Sequence, residues 1–321
     1  MSKDIQLQKR LYKKLYLIRR AEERIRDMYF DDEMKTPMHM SRGGEAIAVG
    51  VLEAAGEKSQ AFGTYRSHAL YLARTMETDK FFAEMYGREA GAAKGLAGSM
   101  HLASPEAGVM MTSAVVATTI PVAVGAAFAN AYQENGKLVV SFFGDGAINE
   151  GVFWESINFA ALKKLPILFV CEDNDFAIHS RVKDRIAHTS IGEIAKQFGF
   201  VVAQTQSTDA GEICNITKDM LEEMKKIEMP GFLYTKYYRY LEHVGVNEDF
   251  EAGYRERTEA EEWMKRDPIE LQRKKLLESG VPEQEIVALE EAVTKDIEES
   301  IAKAKDAPFP KKTEVFENLY A

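Results

Sequence analysis

The most constraining stretch of the sequence is a strand–helix–strand pattern between residues 137 and 172. An apolar run, KLVVSFF (137–143), ends in the turn Gly144-Asp145-Gly146, and a helical pattern, EGVFWESINFAALKK, follows it. Pro166 then precedes a second apolar run that ends near residue 172. About 15 helical residues between two such runs are typical of a βαβ unit, whose strands are parallel and whose connection is right-handed. The sequence therefore predicts an α/β fold with a mainly parallel sheet.

Helical and strand patterns extend this unit along the chain. Apolar residues at helical spacing predict an amphipathic helix over 5–30, and a helix at 209–228 precedes a third strand candidate at 231–240. From about residue 255 the charged, periodic sequence predicts a helical C-terminal extension. Loops are expected in three polar, glycine-rich segments, at 35–45, 87–99 and 104–113. Because the chain has no internal repeat, we interpret residues 1–321 as a single domain.

Two polar side chains follow the paired strands at the same edge of the expected sheet. Asp145 comes just after the first strand, and Asn174 follows the second in the turn EDNDFAI. Ligands of open α/β sheets bind at the carboxyl ends of the strands. A carboxylate and an amide oxygen suit Mg²⁺, which takes few protein ligands and leaves room for phosphate oxygens and water. Gly144 and Gly146 allow the backbone to approach an anion closely. The pattern indicates a diphosphate held through magnesium.

The Gly-Asp-Gly turn alone does not establish this site, because Asp-Gly turns after strands are equally common without a ligand. The asparagine turn after the next strand is what favours the ligand. The sequence contains neither GxxxxGK[ST] nor a strand-linked GxGxxG, which argues against P-loop and nicotinamide-dinucleotide chemistry.

Composition excludes several other classes of protein. Lys and Arg total 41 against 51 Asp and Glu, and this net charge of −10 argues against general nucleic-acid binding. Cys171 and Cys214 form no ligand-spaced cluster, so we expect no structural zinc site and a reducing, cytoplasmic compartment. Residues 107–133 carry no charge and are long enough to span a bilayer. Their Ala, Gly, Thr and Val content and Pro121 instead favour a strand or loop followed by a buried helix that begins near Pro121.

Together these motifs resemble the alpha subunits of thiamine-diphosphate-dependent 2-oxo acid dehydrogenases, including the pyruvate and acetoin types. The stretches that carry the likeness are HMSRGGEAIAVG from 39, TYRSHALYLAR from 64, YGREAGAAKGLAGSMHL from 86, the Gly-Asp-Gly block, and DPIELQRKKL from 267. They span nearly the whole chain. The resemblance implies a three-layer α/β/α fold, with thiamine diphosphate and Mg²⁺ as cofactors, and oxidoreductase activity on a small 2-oxo acid or acetoin.

The resemblance also implies a role for each residue that matches a family motif. Asp145, Asn174 and the backbone carbonyl of Phe176 would hold the metal. His39, on the substrate side, and His243, in a loop covering the cofactor, would be catalytic. The implied cofactor-binding set is Tyr65, Arg66, Ala114, Val116, Asp145, Gly146, Ala147, Asn174, Phe176 and His243. Considered alone, Arg66 would be interpreted as one half of a surface ion pair.

The other four histidines have less definite assignments. The roles of His68 and His101 stay open, and His179 and His188 are expected to be structural.

The sequence departs from the family pattern in three places. Val244 follows His243 where the family carries a serine, so phosphorylation beside that histidine is not expected. Asp173 and Gly44 stand where asparagine and glutamine are common, which leaves the substrate undecided.

The resemblance further implies a partner. In this family the glutamate that activates the cofactor belongs to a separate beta chain, and 321 residues are too few for both cofactor-binding halves. We therefore expect a heterotetramer, with residues 113–130 as a subunit-facing helix and a lipoyl-bearing acyltransferase core as one acceptor. Two rival functions stay open: a thiamine-dependent carboligase or transketolase-like synthase, and a binding protein that has lost catalysis.

Overall fold

The fold is built on a parallel sheet covered by helices on both faces. The computed structural model describes residues 3–187 and 190–316. Its strands are β1 (Gln60–Thr64), β2 (Val109–Ser113), β3 (Val139–Gly144), β4 (Ile167–Asp173), β5 (Phe176–Ala177), β6 (Ser180–Arg181), β7 (Val201–Thr205) and β8 (Gly231–Lys236). Six of them form one sheet in the order β2-β1-β3-β4-β8-β7, and every neighbouring pair in it is parallel. The short strands β5 and β6 pair with each other in an antiparallel hairpin.

The helices surround this sheet. They are α1 (Lys3–Met28), α2 (Glu45–Ala55), α3 (His68–Thr75), α4 (Thr78–Met85), α5 (Thr119–Tyr132), α6 (Gly151–Leu162), α7 (Ile191–Gln197), α8 (Ala210–Ile227), α9 (Arg257–Met264), α10 (Pro268–Glu278) and α11 (Glu283–Asp306). Short 3₁₀ helices span Tyr29–Asp31, Pro105–Ala107, Asp145–Asn149, Val182–Asp184, Phe250–Ala252 and Lys312–Phe316.

The central strands are apolar on both faces, and their alternate side chains enter two separate cores. Val140 and Phe142 of β3 pack in the core that includes α1, α2 and α8. Val139 and Phe143 pack on the opposite side, with α5, α6 and α7. Strands buried on both faces are typical of parallel sheets. The predicted α/β fold with a mainly parallel sheet between helical layers is therefore confirmed.

The predicted strand–helix–strand unit is β3, α6 and β4. Gly144 pairs with Glu172 in parallel register, so the two strands end at the same level of the sheet. The third predicted strand was too long, because β8 ends at Lys236 and the chain then leaves the sheet. The expectation of a loop over the whole of 104–113 was also wrong, since its second half is the edge strand β2.

The uncharged segment contains the expected helix near Pro121, but only one face of that helix is buried. Ile120, Ala123 and Ala127 of α5 pack in the core, whereas Phe128 and Tyr132 are exposed. In the part of the chain that the structure describes, no helix has both the length and the apolar character needed to cross a membrane.

The C-terminal helices pack against the N-terminal one. Arg19 of α1 donates from Nε to Glu45 at 2.7 Å and from Nη2 to Asp267 at 2.9 Å, and all three side chains are buried. Because a buried charge is stable only when it is paired, this triad fixes α10 beside α1 and α2.

Candidate active site

A cavity of about 240 Å³ opens at the carboxyl edge of the sheet. Thr64 at the end of β1, Ser113 at the end of β2 and Gly144 at the end of β3 contribute to its wall, with Asn174 just beyond β4. The sheet reverses its strand order between β1 and β3, so the cavity lies at the topological switch point, where α/β proteins bind their ligands.

Most of the predicted cofactor residues line this one cavity. They are Tyr65, Arg66, Val116, Asp145, Gly146, Ala147, Asn174 and Phe176. Ala114 lies between the lining residues Ser113 and Val115, and its N–H donates to His101 Nε2 at 3.4 Å. The structure thus brings together side chains that are far apart in the sequence.

Asp145 is held from the side by an arginine that the sequence analysis missed. Its side chain is buried, and Arg185 donates to its carboxylate and, at 3.3 Å, to its backbone oxygen. Arg185 also donates to Asn149 Oδ1 at 2.6 Å, and Asn149 Nδ2 donates back to the Arg185 carbonyl at 3.1 Å. These contacts tie the turn after β3 to the segment after β6 and fix the carboxylate at the cavity wall.

Asn174 is fixed at both ends of its amide. Its Oδ1 accepts the N–H of Phe176 at 3.0 Å in an Asx turn, and its Nδ2 donates to the Tyr237 hydroxyl at 3.2 Å. The cavity therefore offers a carboxylate and an amide oxygen, which are the ligand types that Mg²⁺ prefers. Gly146 lies beside them, and a Cβ there would come within 3.2 Å of Ala177 Cβ, so a larger residue would crowd this wall. The residues present fit a magnesium-bound diphosphate.

Arg66 connects the two segments that carry the predicted catalytic histidines, through the backbone carbonyls of Met40 and His243. Its Nη1 donates to the carbonyl of Met40 at 2.7 Å, and its Nη2 donates to the carbonyl of His243 at 2.9 Å. Glu172, another residue that the sequence analysis missed, lines the same cavity. Burial raises the pKa of Glu172 to about 8, and the charge of Arg66 opposes this shift.

His39 and His243 form an aromatic cluster with Tyr65. The His39 and Tyr65 ring centroids are 4.5 Å apart, and the two histidine rings are 5.3 Å apart. Burial, followed by the positive charge of Arg66, lowers the pKa of His39 to about 3 and the pKa of His243 to about 4. Both imidazoles are therefore neutral near pH 7, so each can donate one N–H and accept at its other nitrogen.

The remaining histidines differ in burial. His68 is buried between Glu22 Oε1, 3.0 Å from its Nδ1, and Ser99 Oγ, 2.7 Å from its Nε2. Although this is the order of a catalytic triad, all three side chains are enclosed, so no substrate reaches them and the contacts are structural. His179 packs on Tyr254 with ring centroids 4.5 Å apart, and His188 lies outside the described residues.

Two residues that line the cavity have left-handed backbone conformations. Ala117 has φ 64° and Ile178 has φ 57°, and a β-branched residue rarely adopts such an angle. Strain of this kind is often found at binding sites, because the surrounding structure must hold it in place. No sequence pattern marks either position.

Comparison with known proteins agrees with the geometry. The family model described as "Dehydrogenase E1 component" matches residues 13–313. Similar curated proteins include the pyruvate dehydrogenase E1 component subunit alpha of Zymomonas mobilis, 33% identical over 96% of this chain and 87% of that protein. The protein of the same name from Porphyra purpurea is 32% identical over 97% of this chain and 92% of its own length. That from Rhizobium meliloti is 31% identical over 96% and 88%. The chain therefore belongs to the dehydrogenase E1 component family, as an alpha subunit of a thiamine-diphosphate-dependent 2-oxo acid dehydrogenase.

Proposed function

We propose that this chain binds the magnesium diphosphate end of thiamine diphosphate and, with a beta chain, decarboxylates pyruvate. One observation carries the proposal: Asp145, Asn174, Arg66 and Gly146 line a single cavity at the switch point of the sheet. The relatives compared above are named as pyruvate dehydrogenase subunits, which supports pyruvate as the first substrate to test. Acetoin is the second, because both molecules are small.

Asp145, Asn174 and the carbonyl of Phe176 would hold the magnesium ion. Arg185 donates to one oxygen of the Asp145 carboxylate, Oδ2, which fixes the carboxylate at the cavity wall, and we propose that the other oxygen, Oδ1, binds the cation. The Phe176 N–H fixes the amide oxygen of Asn174 at the cavity. The net charge of −10 repels an anionic cofactor, so the attraction has to come from a cation held at the site itself.

Tyr65, Arg66, Gly146 and Ala147 would surround the diphosphate. Two of the five N–H bonds of Arg66 donate to backbone carbonyls, and we propose that others donate to phosphate oxygens. Backbone groups of Ala114 and Val116 would contact the aminopyrimidine side of the cofactor.

Thiamine diphosphate supplies, when bound, a nucleophilic carbon and an electron sink for decarboxylation. His39 and His243, being neutral, would donate hydrogen bonds to the substrate side of the cavity and relay protons there. Their contact with Tyr65 keeps both rings oriented.

A partner chain would cover an apolar patch on α5 and α6. Phe128 and Tyr132 are exposed there, as are Phe159 and Leu162, and the Phe128 and Phe159 ring centroids are 5.8 Å apart. Contiguous exposed apolar groups mark protein interfaces. We propose that a beta chain carrying the activating glutamate binds this patch, that the assembly is a heterotetramer, and that a lipoyl-bearing core accepts the acyl group.

The compartment we propose is the cytoplasm. Both cysteines, Cys171 and Cys214, are buried free thiols, which is the usual state in a reducing environment.

The decisive experiment is to co-express the chain with a beta-type partner and to titrate the complex with thiamine diphosphate and Mg²⁺ by calorimetry. We expect binding that Asp145→Ala abolishes, and oxidation of pyruvate with an artificial electron acceptor. As a matched control, Asp184→Ala removes a nearby carboxylate that does not line the cavity. Equal binding by the wild type and Asp145→Ala would refute the metal assignment, and acyl transfer to an aldehyde in place of oxidation would indicate a carboligase.

A further inference from the structure

Tyr237 occupies the space that a side chain at position 44 would fill. A Cβ on Gly44 would lie 3.0 Å from Cε2 and 3.1 Å from Cδ2 of the Tyr237 ring, which is closer than ordinary van der Waals contact. The backbone does not require glycine there, because φ is −105°. Gly44, where the family commonly has glutamine, is therefore the position that makes room for this ring.

The same ring delivers a hydroxyl group to the cavity. Tyr237 is buried and lines the cavity, and its hydroxyl accepts a hydrogen bond from Asn174 Nδ2 at 3.2 Å. The backbone of Tyr237 is fixed as well, since its N–H donates to the carbonyl of Asp173 at 2.9 Å. Both ends of the residue are thus held beside the asparagine turn.

An amide side chain can bind a cation only through its oxygen. The Phe176 N–H holds the oxygen end of the Asn174 amide, and the Tyr237 hydroxyl holds the nitrogen end. Without the hydroxyl, the nitrogen end has no such anchor, and the amide plane can rotate away from the geometry that a metal requires.

We propose that Tyr237, which depends on Gly44 for its place, is a positioning residue that orients the Asn174 amide for the cation. This inference rests on the proposed function, since Asn174 must be a metal ligand. The role is separate from contact with the substrate, because Tyr237 acts through another side chain.

The test is Tyr237→Phe, which removes the hydroxyl and keeps the ring over Gly44. Mg²⁺ affinity is measured by calorimetry on the complex of this chain with its beta chain, at saturating thiamine diphosphate. We expect affinity to fall about three- to tenfold, the effect of losing one neutral hydrogen bond. The matched control is Tyr238→Phe, because the Tyr238 hydroxyl is buried and has no hydrogen-bond partner among residues 3–187 and 190–316. Its Mg²⁺ affinity should equal that of the wild type.

A second variant tests the role of Gly44. The Cβ of Gly44→Ala would push the Tyr237 ring and lower Mg²⁺ affinity. If both changes act through the Tyr237 hydroxyl, the double variant Gly44→Ala, Tyr237→Phe should bind Mg²⁺ no more weakly than the weaker-binding of the two single variants. Wild-type affinity in Tyr237→Phe would overturn this inference alone. Absence of Mg²⁺ binding by the wild-type complex would overturn the proposed function and this inference with it.

Discussion

The loop over 87–99, just before His101 in the sequence, is held in place by the carboxylate of one residue. Glu84 at the end of α4 accepts four backbone hydrogen bonds, two on each oxygen, and its side chain is 1% exposed. The donors are the N–H groups of Ala93 (2.8 Å), Gly95 (2.9 Å), Ala97 (2.9 Å) and Gly98 (2.8 Å). The loop has little regular secondary structure of its own, so these bonds determine its path.

Replacing Glu84 by glutamine changes one of its two acceptor oxygens into a donor. Two of the four backbone N–H groups then face an NH₂ group, on a side chain that is itself only 1% exposed. Each orphaned buried donor costs about 1–3 kcal/mol, so we expect Glu84→Gln to lower the free energy of unfolding by about 2–6 kcal/mol.

Urea unfolding of the chain, followed by circular dichroism, measures this loss. Glu89→Gln is the matched control, because Glu89 lies in the same loop with an exposed side chain, and its change should stay within about 0.5 kcal/mol. Limited proteolysis should cut the loop of Glu84→Gln faster than that of the control. A loss below about 1 kcal/mol, with unchanged proteolysis, would refute the view that this carboxylate holds the loop.

Three further predictions follow from single features. Ile178→Asn should raise the free energy of unfolding by about 1 kcal/mol, measured by thermal unfolding, because asparagine tolerates the left-handed φ of this position. Ile178→Val should give no such gain, because valine is β-branched like isoleucine. Burial lowers the pKa of His39 to about 3. Below about pH 6.5 the unfolded chain therefore binds a proton at this residue that the folded chain does not. The free energy of unfolding should then fall by about 1.4 kcal/mol per pH unit as the pH is lowered to about 4. The urea midpoint of His39→Gln should therefore change less between pH 7 and pH 5 than that of the wild type. Because Phe128 is exposed, Phe128→Ser should leave the unfolding midpoint of this chain nearly unchanged. The same change should weaken association with a beta chain about tenfold, measured by sedimentation. Unchanged association would exclude Phe128 from the interface.

The central part of the fold was predictable because it depends on local sequence. The apolar runs around Gly144 and Pro166 determine two buried parallel strands, and parallel register brings their ends together. From that alone, Asp145 and Asn174 had to meet at one edge. Both line the observed cavity, as expected.

The sequence did not distinguish strand β2 from a loop, because β2 is a short edge strand of five residues. Met110 and Met111 are only partly buried, and Gly108 precedes them, so neither burial nor alternation marks the strand. In the sheet, β2 pairs only with β1. This pairing joins residues about 50 positions apart, so the local sequence does not determine the strand.

Arg185 and Tyr237 could not be predicted as site residues for a related reason. Arg185 meets Asp145 across 40 positions of sequence, and Tyr237 meets Asn174 across 63. Each contact needs the strands to be placed first, and no motif in the sequence marks either residue as part of a site. Gly44 did depart visibly from the family pattern, and only the Tyr237 ring shows what that glycine permits.

Arg66 has two roles that the family resemblance does not separate. As a phosphate ligand, it would act on the cofactor alone. In the structure it also binds the carbonyls of Met40 and His243, and its charge helps to keep His39 and His243 neutral. Removing the guanidinium would therefore remove the hydrogen bonds that join the two histidine segments, in addition to any loss of cofactor binding. Lysine at this position would keep the charge but could not bridge the two carbonyls, because its single ammonium group lacks the fork of the guanidinium. Loss of activity in Arg66→Lys would therefore report the coupling of the two histidine segments together with any loss of phosphate affinity.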